Sequence, residues 1–386
     1  MTEYGLDRMR EIYVSGATGD YTPFPVRHDE LRARAHDEMT DEAYGYVAGA
    51  AGREDTARDN EADFDLYRLE PEVLRDVSER DLSVDVLGRE YAAPLGLAPV
   101  GVQSIVHSEG ERASASAAAE HGLPYVSSTV SSTRLEDTAE AYEGAWFQLY
   151  PSSDRELTRS LVGRAEDAGY SAVVVTVDVP LNGWRTRDLS NAYLPFLDGE
   201  GIANYTTDPV FRERLGKPPE DDSFAAIQEF IEVFSDPSLT WESVEYVLDA
   251  TSLPVVVKGV LSPEDARRAE AAGFDGVYVS NHGGRQVDGS VSAVEALPRV
   301  ASEVDVPVLF DGGVRGGSDV LKAVALGADC VFVGRPYLYG LAVDGRDGVS
   351  EVLRNYLADL DVTLGLVGHR DVEDVTSDVL VEDVEV

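Results

Sequence analysis

The chain has one cysteine among 386 residues, Cys330, so neither an intrachain disulfide nor a cysteine-based metal cluster can form. Basic charge is scarce as well: 32 lysines and arginines stand against 72 aspartates and glutamates, a formal net charge of -40. A field of that sign repels nucleic acid phosphates and anionic membranes, which removes both from the expected partners. Lysine is nearly missing, with Lys217, Lys258 and Lys322 alone, and arginine supplies the rest of the positive charge. Such a surface suits concentrated salt, where screening removes most of the self-repulsion. No apolar run reaches membrane-spanning length, and the polar, acidic start shows no basic segment followed by an apolar core. A cytoplasmic enzyme or binding protein without a metal centre is expected.

What is plentiful is valine in short runs bounded by glycine, proline or polar residues. LGLAP at 95–99, YVSS at 125–128, WFQLY at 146–150 and AVVVTVD at 172–178 are followed by PVVVK at 254–258, GVYVS at 276–280, PVLFD at 307–311 and CVFVG at 330–334. Runs without alternation mark strands covered on both faces, which gives eight buried strands, with Cys330 a packing residue in the last. Between them EGERASASAAAEHG, SDRELTRSLVGRAEDAG, SPEDARRAEAAG and SDVLKAVALGA open on a capping or acidic residue and close at glycine, as helices do. Strand and helix in alternation predict an α/β fold, a (β/α)8 barrel over 91–370; a doubly wound sheet is the alternative, but no GxGxxG follows the first strand. Residues 1–90 read as a helical extension with a short strand pair, and 371–386 as an acidic tail. The stretch 179–240 after the fourth strand is too long for an ordinary connection and reads as a lid insertion or, failing that, a surface decoration.

Barrel chemistry sits at the C-terminal ends of strands. Those ends supply Gly101, Ser127 to Thr129, Gln148 and Tyr150, Thr176 and Asp178, Lys258, then Ser280, Asn281, His282 and Arg285, then Asp311 with its glycines, and Gly334 with Arg335. Asp311-Gly-Gly-Val-Arg-Gly-Gly, a helix start at Ser318 and Gly334-Arg335 read as a phosphate cradle, for a substrate or for a cofactor. Lys258, kept in a chain that has shed lysine, suits a charge-stabilising ammonium or a Schiff base. His282 suits proton transfer near neutrality, Arg285 a bidentate carboxylate contact, and Asp178 the orientation of the imidazole.

With SNHGGRQ, TVD at 176–178, FQLY at 147–150, VKGV at 257–260 and DGGVRGGSDVLKAVALGAD followed by VGRP, the chain resembles the FMN-dependent L-2-hydroxy acid oxidases and dehydrogenases from about residue 40 to 370. The stretch 183–212 resembles the lactate 2-monooxygenase branch. The resemblance implies FMN as cofactor, a small L-2-hydroxy acid and molecular oxygen as reactants, and a homotetramer or octamer. It makes His282 the base with Asp178 paired to it, Arg185 and Arg285 the carboxylate clamp, Tyr46 and Tyr150 substrate contacts, and Lys258 the neighbour of flavin N1 and O2. Ser127, Gln148 and Thr176 would bond the isoalloxazine, Asp311 the ribityl chain, and Arg315 and Arg335 the phosphate, with Pro99, Val100, Gly101, Ser280, Gly313 and Gly334 completing the cofactor site. Thr129 stands where many relatives carry tryptophan or tyrosine, which implies a smaller pocket wall, and Gly101 replaces the alanine of plain oxidases.

The expected reaction is oxidation of L-lactate, ending in acetate, carbon dioxide and water if pyruvate is retained, or in pyruvate and peroxide if it leaves. An acceptor-linked dehydrogenase is the enzymatic alternative; a flavin-dependent isomerase or a barrel that merely binds flavin is the alternative of another class. The charge excess generates the first testable outcome: the melting temperature rises as potassium chloride is raised to molar concentration, and a melting curve indifferent to salt would contradict adaptation to it.

Overall fold

The computed structural model describes residues 4–19 and 24–382. At its centre are eight parallel strands: β1 (Leu95–Leu97), β2 (Val126–Ser128), β3 (Trp146–Leu149), β4 (Ala172–Thr176), β5 (Val255–Val260), β6 (Gly276–Val279), β7 (Val308–Asp311) and β8 (Cys330–Val333). Each pairs with its successor from β2 to β8, and β8 returns to β1 through Val331–Leu95 and Val333–Leu97. The last seam closes by a bridge between Leu97 and Tyr125 and by the Leu97 N–H donating to the Pro124 carbonyl at 2.9 Å. Closure leaves no strand edge to water, which is why the valine runs need no polar alternation.

The barrel interior is filled rather than hollow: Trp146, Tyr278 and Phe332 meet across it, with ring centroids 5.6 and 5.1 Å from Phe332. Cys330 is fully buried, and burial pushes its thiol pKa up. Helices follow the expected pattern at Gly110–Glu120, Arg155–Asp167, Pro263–Ala272 and Gly317–Ala325. The Arg155–Asp167 helix starts where the Asp154 carboxylate accepts from the N–H groups of Glu156 and Leu157, and its apolar face, Leu157, Leu161 and Val162, is buried.

The lead-in forms helices at His28–Glu38, Asp41–Ala48 and Asp55–Ala62, then an antiparallel pair, Val84–Val86 with Arg89–Tyr91. The expected acidic tail is largely folded back. Val372, Val375 and Val379 are buried, and Leu380–Glu382 pairs antiparallel with Tyr67–Leu69; residues 383–386 lie outside the described residues.

The insertion after β4 forms a packed cover with its own core. Phe196, Tyr205, Phe211, Phe230 and Phe234 are buried against one another, with Tyr205 and Phe230 centroids 4.9 Å apart. Fully buried Asn204 ties this cover to the barrel: its amide donates to the carbonyls of Ser128 and Thr129 and accepts from the Leu135 N–H. Fully buried Asp208 does the same through Ser160 and Arg164, at 2.8 and 3.0 Å.

The lead-in also reaches the C-terminal face of the barrel. Asn60 and Asn281 exchange reciprocal amide hydrogen bonds at 2.8 and 2.7 Å, and Asn60 Oδ1 accepts from the Ala293 N–H as well. Both amides are buried, so truncation strands their partners away from water. Asn60→Ala is expected to lower the unfolding free energy by about 2–3 kcal/mol in denaturant titration, and a change below about 0.5 kcal/mol would show that this clasp is not structural.

Candidate active site

The turn after β6 carries the largest concentration of reactive groups. His282, Gly283 and Gly284 are all left-handed, with φ of 59, 62 and 75 degrees. Two glycines make this affordable for the backbone, while His282 accepts a conformation that side chains with a Cβ disfavour. The turn is held from below: the His282 N–H donates to Ser280 Oγ at 3.0 Å, and Asn281 Oδ1 accepts from the Gly284 N–H at 3.1 Å. The motif's glutamine has a task too, because Gln286 Nε2 donates to the carbonyls of Asp178 and Leu181 and so fixes the segment that follows β4.

That segment delivers Asp178 to the imidazole, with its carboxylate oxygens 3.0 and 3.2 Å from His282 Nδ1. The carboxylate fixes the tautomer, leaving Nε2 toward the Tyr150 hydroxyl at 3.4 Å. Burial lowers the His282 pKa, against the opposing pull of Asp178; Lys258 and Arg185 lower it further. Burial opposes ionisation of Asp178, yet His282 and Lys258 hold its pKa below the usual carboxylate value. Burial, with Asp178 adding to it, keeps the Tyr150 phenol protonated. At neutral pH the group is therefore a neutral imidazole backed by a carboxylate and faced by a phenol, a proton acceptor ready for use.

Two guanidinium groups stand opposite. Arg285 is anchored by Nη1 to the carbonyls of Tyr46 and Gly49 at 2.7 and 2.8 Å and lies over the Tyr46 ring. Burial and the neighbouring Arg185 lower the Arg285 pKa to about 9, an electrostatic cost that an incoming carboxylate relieves. Arg185 Nε is buried with no hydrogen-bond partner among the described residues. Asp188, one helical turn beyond Arg185, is a buried carboxylate whose Oδ1 also lacks a partner; burial raises its pKa against the pull of Arg285 and Arg185.

One pocket is lined by Tyr46, Tyr150, Arg185, Lys258, His282 and Arg285, and also by Pro99, Val100, Gly101, Asp311, Gly313, Arg315, Gly334 and Arg335. Asp178 stands behind the imidazole; Ser127, Gln148, Thr176 and Ser280, at or just after the ends of β2, β3, β4 and β6, do not line this pocket, and Thr176 lines a neighbouring one. Lys258 Nζ donates to Ser280 Oγ at 2.8 Å and lies 3.3 Å from Asp311 Oδ2, so its charge is held in place by a hydroxyl and a carboxylate. Ser127 Oγ, Gln148 Nε2 and Thr176 Oγ1 are buried with no hydrogen-bond partner among the described residues, although Gln148 Oε1 accepts from Ser128 Oγ. Orphaned donors and acceptors in a core are costly, and the polar edge of an isoalloxazine satisfies them. The residues present thus fit FMN.

Some expectations need correction. The helix start after β7 is not open to a phosphate, because Asp359 on the long helix Arg335–Leu366 accepts from the N–H groups of Gly317 and Ser318. Arg335 donates to the carbonyls of Val47, Gly49 and Gly283, and Arg315 Nη2 pairs with Glu61 at 2.6 Å; the buried Arg315 Nε has no hydrogen-bond partner among the described residues. Thr129 faces away from the pocket, its hydroxyl donating to the Gln148 carbonyl and accepting from the Tyr150 N–H, so it sets no pocket wall. Phe196 and Phe234 from the insertion line the pocket instead, with the Phe234 ring 5.3 Å from Tyr150. Sequence reasoning missed Asp188, Asn60 and these two phenylalanines. Asp188 had a signal in its spacing from Arg185; the others had none.

The fold and the pocket define a flavin-binding barrel oxidoreductase. The family model described as FMN-dependent dehydrogenase matches residues 35–382, and the chain belongs to this FMN-dependent 2-hydroxy acid oxidoreductase family. The L-lactate oxidase of Lysinibacillus sphaericus is 42% identical over 364 residues, covering 93% of this chain and 94% of that protein. An FMN-dependent alpha-hydroxy acid dehydrogenase of Schizosaccharomyces pombe is 41% identical over 385 residues, covering 96% and 95%. A crystal structure of mandelate oxidase superimposes with a TM-score of 0.83 at 39% identity, covering 94% of this chain and all of that one.

The buried pair makes its own prediction. By heteronuclear NMR, His282 titrates below the free-imidazole value of 6.5, and Asp178→Asn moves the midpoint lower still because the contribution that raises it is lost. An upward move in the variant would contradict this electrostatic account.

Proposed function

We propose that this chain, an FMN-dependent 2-hydroxy acid oxidoreductase, oxidises L-lactate or an acid of similar size with oxygen as acceptor and holds the 2-oxo acid until it is decarboxylated. When bound, FMN supplies the two-electron acceptor. Arg185 and Arg285 grip the substrate carboxylate, which brings the C2 carbon and its hydroxyl within reach of His282 and Tyr150. His282 takes a proton through Nε2, Asp178 stabilises the imidazolium that results, and Tyr150 donates toward the hydroxyl oxygen as it becomes a keto oxygen. Lys258, fixed by Ser280 and Asp311, would hold a positive charge beside FMN. Phe196, Phe234, Val130 and Val179 close the apolar side of the pocket, which favours a methyl group over an aryl one.

The observation that carries the finer part is Gly101. A Cβ at this position would overlap the carbonyl of Val130, so the absent methyl is what lets the β2 exit close onto the loop after β1, and that tight pocket wall favours retention of the 2-oxo acid rather than opening a space beside it. The cover pinned by Asn204 supports slow release. With retention, L-lactate and oxygen give acetate, carbon dioxide and water, since peroxide decarboxylates pyruvate before either departs. With early release the products are pyruvate and hydrogen peroxide, the reading favoured by similarity to proteins named L-lactate oxidase.

The test is to supply the FMN-loaded protein with L-lactate and oxygen at high salt and to quantify products. Acetate is expected in excess of pyruvate with little free peroxide; pyruvate and peroxide in equal amounts would establish the oxidase outcome.

A further inference from the structure

Beside the cation-lined pocket lies a second cavity of about 290 Å³, bounded by the exits of β3, β4 and β5 and by the segment that follows the Ser223–Val233 helix. The two spaces share Tyr150, Val179 and Phe234, so these side chains are the partition between them.

Their linings differ in charge. The first is lined by Arg185, Lys258 and Arg285 at its reacting end. Among the described residues the second has no lysine or arginine in its wall; it carries two carboxylates, Asp236 and Asp265, and Thr176, among apolar side chains that include Leu239, Trp241 and Val260. An anion crossing the partition leaves guanidinium groups for carboxylates and is opposed by the field; a neutral diatomic molecule crosses without that cost. The partition is also narrow. Phe234 meets Tyr150 edge to face and Tyr150 is held toward His282, so the opening is set by the swing of one phenyl ring next to a valine.

We infer that the second cavity is the passage by which dioxygen reaches the reacting end of the first, while substrate and product acids are held on the cationic side. The inference rests on oxygen as the acceptor, as proposed above. It separates the two reactants by route: the acid enters where positive charge faces it, and the gas enters behind Tyr150.

Two substitutions fill the cavity without touching the groups that handle the acid, Leu239→Trp and Ser235→Phe, since both residues line the second space and not the first. In stopped flow, anaerobic reduction by L-lactate is expected to stay within about two-fold of the parent, while the second-order rate constant for reoxidation by oxygen falls by about five-fold or more. Xenon-pressurised crystals give a readout independent of turnover: a xenon site in the cavity of the parent, lost in Leu239→Trp. Unchanged reoxidation in both filled variants, equal slowing of both half-reactions, or xenon bound only elsewhere would overturn the route. A parent that L-lactate reduces but air does not reoxidise would instead remove oxygen as acceptor, and the inference with it.

Discussion

Keeping positive charge in a buried pocket is the constraint on which the structure depends. Arg185, Lys258, Arg285, Arg315 and Arg335 line one cavity of a chain whose formal net charge is -40. A buried cation without compensation is expensive, and full neutralisation by carboxylates would leave nothing for an anionic ligand. Neutral backbone carbonyls supply the compromise at Arg285 and Arg335: they hold the guanidinium groups in place and leave much of the charge unspent. The carbonyls of Val47, Gly49 and Tyr46 come from the lead-in, which makes those helices part of the site rather than an appendage. Lys258 is treated differently, with Ser280 and Asp311 around it, in keeping with a charge that must stay fixed.

Much of the fold was legible because the barrel writes itself locally. Valine runs without alternation can only be strands covered on both faces, and once eight are counted the strand ends name the site. Asp178, Tyr150, Lys258, His282 and Arg285 were readable for that reason. What stayed illegible depends on residues far apart in sequence. Nothing near Gly317 announces that Asp359 will occupy its N–H groups, and nothing near Asn281 announces Asn60. Thr129 misled for a related reason: its place in the chain is that of a wall residue, but its hydroxyl found two backbone partners and turned inward. The phenylalanines that form the wall instead belong to an insertion whose packing no periodicity describes.

The left-handed turn at His282 explains why histidine and two glycines stand together. The direction of the imidazole is set by the main chain, with Ser280 holding the His282 N–H and Asp178 holding Nδ1, so little rotamer freedom remains to be lost when substrate arrives. Gln286 extends that rigidity to the β4 exit, and the single stretch His282–Gln286 thereby positions both members of the proton-handling pair.

The pairing of β8 with β1, and of Leu380–Glu382 with Tyr67–Leu69, has a bearing on biogenesis. Both junctions join the first third of the described chain to strands far downstream, so they cannot form until Cys330–Val333 and Leu380–Glu382, respectively, have emerged from the ribosome. During synthesis β2, β3 and β4 can pair with one another as they appear, whereas β1 and Tyr67–Leu69 wait for Cys330–Val333 and Leu380–Glu382.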